Sequence, residues 1–271
     1  MSQTLPRFFQ AKLKCEWANK HINELHAAWE AFLKTDFCQF RLEDHPDGGQ
    51  ALRIISINPL PAELVLLLGD AVHNLRASLD YTVNEVLGWR DTRLTFPMAD
   101  DREELITSFR TETELVGGKT KKKGRNAAIE VAVAGIGKFI VDEIRPYKSG
   151  NSFLWPLNKL DGCDKHRLLI PVLVPQSITG INAVDKNNNR VSNMTATMGP
   201  GGVANFIHFG SGGVTIEHYG KPTAEIFFNE AGIVEGQPVF PTLLQMSQSV
   251  SETINRVDVF LTSIGWSAPT K

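Results

Sequence analysis

Cysteine is scarce in this chain and unpatterned: Cys15, Cys38 and Cys163 are odd in number, widely separated and never in C-x-x-C spacing. This excludes a disulfide framework or a thiolate zinc centre and points to a reducing compartment. No uninterrupted apolar run reaches the roughly 18 residues of a membrane-spanning helix. The opening MSQTLPRFFQAKLKCEW lacks the apolar core of a signal peptide. Charge of one sign is missing too, because 28 Lys and Arg stand against 30 Asp and Glu for a formal net charge of −2. No global pull toward nucleic acid or an anionic membrane follows, which leaves only local basic patches. There is no internal repeat and no long linker. The expectation is a cytoplasmic protein that binds no membrane.

What is present is an ordinary globular composition, 42% hydrophobic and 21% charged over 271 residues, enough for one large domain or two moderate ones. The chain is organised around residues 61–90, PAELVLLLGDAVHNLRASLDYTVNEVLGWR. Pro61 suits a first helical position and Glu63 the positive end of the helix dipole. At about 100° per residue, Leu68, Val72, Leu75, Leu79, Val83 and Val86 form one apolar stripe. Residues 64–68 are apolar all the way round, which predicts a central helix. Beside the stripe, His73, Arg76 and Asp80 share a narrow strip at i, i+3 and i+7, with Asp70 one turn earlier.

A second polar constellation, LDGCDKHRLL at 160–169, ends a helix predicted over about 152–168 and capped by Asn151 or Ser152, with Pro156 tolerated in its first turn. Phe153, Leu157, Leu160 and Leu168 form its apolar face, with Asp164 in the middle and Arg167 at the edge. A carboxylate placed there needs a partner, since an isolated buried charge is far too costly. Arg76, His73 and Lys165 are the natural partners, so the two helices are expected to pack with their polar clusters facing.

Around these stretches the periodicities predict a helix over 6–34 (Ala18, Ile22, Leu25, Trp29, Phe32) and a β-hairpin over about 37–57 around HPDGG. A short helix opens at Asp100-x-x-Glu103, and a further helical pattern covers 127–144. GGKTKKKGR at 117–125 is a surface loop or a basic arm; it is not a phosphate loop, because Thr113 stands where glycine is required. Short β-prone runs follow at 168–174, 178–184, 203–208, 214–218 and 224–228, separated by DKNNN, GPGG, GSGG and YGKP. A helix over 242–264 closes the chain and packs on the helices, on the sheet, or on a second copy as a homodimer. The fold class is α+β: about four helices in a bundle over 1–168 with the inserted hairpin, then a mainly antiparallel sheet and closing helix over 169–271.

The residue types suit metal-independent phosphoryl chemistry. One of His73 and His166 acts as general base and the other as general acid, Arg76 and Arg167 stabilise charge on phosphorus, and Asp80 or Asp164 orients the rings. Asp70, Asn74 and Lys165 stand beside them as ligand-binding groups. RNA, a nucleotide or another phosphate-bearing ligand is the expected partner, with no cofactor. A metal held by His73, His166 and Asp70 or Asp164 is disfavoured by the adjacent cations. Two other readings stay open: phosphate binding without turnover, and an interaction protein, phage or bacterial, in which the cluster is a structural ion-pair network.

GDAVHNLRASLD at 69–80, Asp161-x-x-Asp164-Lys-His-Arg-Leu-Leu169 and Arg145-Pro-Tyr147 resemble a widespread bacterial and phage family of proteins without an assigned activity, over roughly residues 8–170. That resemblance implies membership and no function. A weaker likeness is to the HEPN class of helical RNA-cleaving domains, whose signature places an arginine upstream of a histidine. In this chain Lys159 stands where that arginine is expected, seven residues before His166.

Overall fold

The chain opens on helix α1 (Phe9–Leu33) in a computed structural model that describes residues 5–44, 46, 49–89, 93–111, 114–116, 119–121, 123–197, 207–209 and 213–267. The hairpin β1 (Cys38–Asp44) and β2 (Gln50–Ile57) follows, then α2 (Ala62–Val86) and α3 (Arg102–Ser108). Next come β3 (Glu114–Val116), β4 (Lys119–Lys121), α4 (Ala127–Ala132), α5 (Ile136–Phe139) and a π-helical turn, Ile140–Ile144. The remainder is α6 (Leu154–Asp164), β5 (Val172–Asp185), β6 (Arg190–Thr197), β7 (Ile207–Phe209), β8 (Val214–Phe227) and α7 (Val239–Ser263). The fold class is α+β, and the pairs of named strands among the described residues are antiparallel.

The long helices form because each carries an apolar side chain every three or four residues. On α1 the buried positions are Ala11, Cys15, Ala18, Ile22, Leu25, Trp29 and Phe32. On α2 all six residues of the predicted stripe are buried, and on α7 Leu243, Val250, Ile254, Val257 and Leu261 are buried. Burying one large aliphatic chain stabilises by about 1.5–3 kcal/mol, so these stripes hold the helices together. The four long helices α1, α2, α6 and α7 pack on one another, and one continuous core runs from Phe8 to Leu261. The sheet adds Ala224, Ile226 and Phe228 to that core. A small second core of Leu52, Ile178 and Ile181 lies where the hairpin meets the sheet.

Several boundaries differ from the sequence expectation. Pro61 sits at the cap position before α2, not in its first turn, and Leu66 on the supposedly all-round apolar segment is exposed. The capping box of α3 is displaced by one residue. Asp101 accepts the Glu104 N–H at 2.7 Å, and Glu104 reaches back to the Asp100 N–H at 3.1 Å. The expected helix over 127–144 is broken at an extended Val133 and a left-handed Gly135, then ends in the π turn.

The predicted runs at 168–174 and 178–184 merge into β5 and those at 214–218 and 224–228 into β8, each strand 14 residues long, while most of the run at 203–208 lies outside the described residues. The expected YGKP turn lies inside β8, where Gly220 (φ 78°) keeps the register with β5 and sits too close to the Thr179 carbonyl for a side chain. Strand order is β6-β5-β8 in one sheet and β1-β2-β7 in another, so the hairpin pairs with a strand from the C-terminal part. Most of the HPDGG and GPGG turns, and part of the basic stretch at 117–125, lie outside the described residues.

Candidate functional site

Helices α2 and α6 pack together, and their polar residues meet along the contact in two adjacent clusters. The first is closed. Arg76 is 5% exposed, and each of its three guanidinium nitrogens donates to a different group. Nε donates to Asn158 Oδ1 on α6 at 2.9 Å, Nη1 donates to Asp80 Oδ1, and Nη2 donates to the Phe96 carbonyl at 3.3 Å. The same Asp80 oxygen accepts the Phe96 N–H at 2.7 Å. This strut ties α2 to α6 and to the segment after α2. Burial pushes the Asp80 carboxyl above the ordinary range, although Arg76 and the Phe96 N–H pull it back.

The second cluster is open on one side. Asp161 on α6 has a side chain 5% exposed, and both its oxygens are partnered. Oδ1 lies 2.9 Å from His73 Nδ1 on α2, and Oδ2 accepts from Lys165 Nζ, one turn later, at 2.6 Å. The His73 side chain is 52% exposed, so its other nitrogen, Nε2, is the one left for solvent or a ligand. A carboxylate on Nδ1 fixes the tautomer and the ring orientation, as in a hydrolase triad.

The ring-orienting carboxylate expected from the sequence is Asp80 or Asp164; in the structure Asp161 stands against the His73 ring. Helix α6 starts at Leu154, its first N–H groups covered by Asn151, and ends at Asp164. Asp161 therefore occupies the buried position next to Leu157 and Leu160, while Asp164 lies at the helix end. There Asp164 rests against the backbone of α2 at Gly69; a Cβ at residue 69 would come within 2.5 Å of Oδ1. Among the described residues Asp164 forms no ion pair with Arg76, His73 or Lys165. Burial pushes its carboxyl up, and the charges of Asp161 and Asp70 push the same way, while only the charge of His73 and the Leu169 N–H draw it down.

His166, Arg167 and Leu168 follow the end of α6 and are exposed; Leu169, not Leu168, enters the core. The His166 and Arg167 N–H groups bond to the Cys163 carbonyl, so both residues stand at the negative end of the helix dipole. The His166 ring has no hydrogen bond or ion pair among the described residues. Burial pushes the carboxyl of Glu230 up, while backbone N–H groups at 229 and 230 and the charge of Arg167 draw it down. Asp70 is exposed. Asn74 turns to α1, where it accepts from Lys14 Nζ at 3.0 Å, and donates to the Asp70 carbonyl at 2.7 Å.

Lys159, the residue at the HEPN arginine position, pairs with Asp100 at 2.6 Å. Asp100 also accepts from the Trp155 indole at 2.9 Å, and these contacts hold its carboxyl below the ordinary range. No protein-family profile, curated protein or solved structure matches this chain. The likeness seen in the two motifs thus stands on those residues alone.

Asp161 and Asn158 are the two residues that sequence reasoning misses. The signal for Asp161 is its spacing, four residues before Lys165 and four after Leu157. Among the described residues no three His, Cys, Asp or Glu side chains converge as metal ligands, so His73, His166 and Asp70 or Asp164 are not gathered into a metal centre. Nor is any helix of the described residues long and apolar enough to cross a membrane.

Proposed function

We propose that His73, oriented by Asp161, is the acid–base group of a metal-independent site acting on phosphodiesters, in RNA or a nucleotide. The supporting observation is the half-exposed His73 ring, whose Nδ1 is held by a buried carboxylate while Nε2 is left open. In this reading Nε2 takes the proton of the attacking hydroxyl or water as the new P–O bond forms. His166 hands a proton to the oxygen that leaves as the old bond breaks. Arg167 and Lys165 offset charge on the phosphoryl oxygens. Arg76 and Asp80 touch no substrate; they position α2 against α6 within a scaffold bundle of the four long helices.

A structural ion-pair network is the second reading. It is favoured by the completeness with which Asp161 and Arg76 are satisfied inside the chain. One experiment separates the two, with phosphate binding without turnover as a third outcome. The protein is incubated with RNA, a 2′,3′-cyclic nucleotide and bis(p-nitrophenyl) phosphate, with and without EDTA. The proposal expects EDTA-resistant product, with His73→Gln lowering the rate by about 10²–10⁴-fold, the usual size of acid–base catalysis. Melting should stay close to that of the parent. Saturable nucleotide binding with no product assigns a binder; no product, no binding and a destabilised His73→Gln variant assign the network.

A further inference from the structure

A cavity of about 530 Å³ lies between α3, α4, α5 and the π turn, apart from the α2–α6 site. Its size falls within the roughly 300–1,000 Å³ range of small-molecule pockets. The floor and one wall are apolar: Phe109 and Val141 are buried, and Ile106 is partly exposed at the side. Gly137 completes the wall by having no side chain, since a Cβ there would come within 2.8 Å of the Phe109 ring and of the Glu130 carboxylate. Val141 and Asp142 line the cavity from the π turn, which closes through Arg145 N–H on the Ile140 carbonyl at 2.8 Å. Wide turns of this kind recur at functional sites.

Three cations, Arg102, Arg110 and Lys138, and two carboxylates, Glu130 and Asp142, line the cavity, and Arg102 and Arg110 are engaged with other groups of the chain. Both carboxylates are occupied as well. Glu130 accepts the N–H groups of Gly135 and Gly137, each at 2.7 Å, and Asp142 accepts from Arg102 at 2.6 Å. Lys138, exposed at the rim, has no polar partner among the described residues. An apolar floor beside an unpaired ammonium group is matched by a molecule with an apolar body and one negative end.

We propose that this cavity is a binding site for a small amphipathic monocarboxylate, aromatic or of medium aliphatic length. Its apolar body rests on Phe109, Ile106 and Val141, and its carboxylate meets Lys138.

The test is calorimetric titration of the full chain with 2-naphthoate, with octanoate, and with the neutral 2-naphthylmethanol. One carboxylate should bind per chain, more tightly than the alcohol. Lys138→Glu should weaken carboxylate binding by about tenfold or more, the worth of one charged hydrogen bond, and leave the alcohol unaffected. Ile106→Trp, which fills the side of the cavity, should abolish binding of all three. Lys138 is exposed and Ile106 partly so, which lets both variants fold, as a melting curve would verify. His73→Gln should bind as the parent does, so the outcome is independent of the α2–α6 site. Failure of both carboxylates to bind at millimolar concentration, or affinities unchanged in both cavity variants, would overturn the proposal.

Discussion

Replacing Arg76 by alanine should be the most damaging single change on α2, for a reason visible in its partners. The guanidinium is buried, and what it leaves behind is the Asp80 carboxylate, whose side chain is only 26% exposed. Stripping one member from such a pair costs about 3–5 kcal/mol, because the remaining charge stays desolvated without compensation. For a chain of this size each kcal/mol moves the melting temperature by about 2–4 °C, so a fall of roughly 6–20 °C is expected.

The pH dependence carries a sign. The folded-state pKa of Asp80 is raised above the unfolded value, so folding favours its protonated form. Its contribution is greatest at acid pH and is lost as pH rises from the ordinary carboxylate range through the raised value. Without Arg76 the folded pKa climbs further, and that window widens toward neutrality. The deficit of Arg76→Ala should therefore shrink as pH is lowered from about 8 to about 5, because the stranded carboxyl can then protonate. Adding Asp80→Asn should recover much of the loss at neutral pH. Urea unfolding followed by circular dichroism gives each number, provided the slope with urea is unchanged. A deficit below about 1 kcal/mol, one indifferent to pH, or one not reduced by Asp80→Asn would refute the strut.

Three further outcomes follow from the same geometry. In an Asp164→Ala background Gly69→Ala should stabilise by up to about 1 kcal/mol, the helical advantage of alanine, whereas in the parent the clash with Asp164 cancels or reverses that gain; equal effects in the two backgrounds would exclude the close approach. Asp164→Asn should raise stability at neutral pH and flatten its decline above the ordinary carboxylate range, since the folded pKa of Asp164 is raised by burial; urea titrations at several pH values check it. Thiol labelling of the native protein should find Cys163 first, because Cys15 and Cys38 are buried and burial pushes the Cys38 thiol up to about 11; rapid modification of Cys38 near neutral pH would contradict its place in the core.

The α2 strip of His73, Arg76 and Asp80 was legible because helical periodicity alone puts them on one flank, and the long helices were legible from their apolar stripes. The partner on α6 was half legible. Sequence pointed to the crowded DKHR segment but not to where the helix stops, and that end point makes Asp161, not Asp164, the buried carboxylate. Turn chemistry also misled: YGKP has the residues of a turn, yet pairing with β5 along its length draws it into one long strand. The broken helix at 133–135 and the cavity below it left no mark in the hydrophobic pattern.

By itself, then, the sequence determined what every short-range rule can reach: the α+β class, the faces of α1, α2 and α7, and the nomination of two polar stretches. Local spacing carries that information because neighbours three and four residues apart share a helix face whatever surrounds them. Only the tertiary structure decided which polar groups are closed and which are open. Arg76 meets Asn158 and the Phe96 carbonyl, and His73 meets Asp161, through contacts 20 to 88 residues apart along the chain. No periodicity reports such distances, so whether a charge serves as a strut or is left for a ligand is settled by burial and partners in three dimensions.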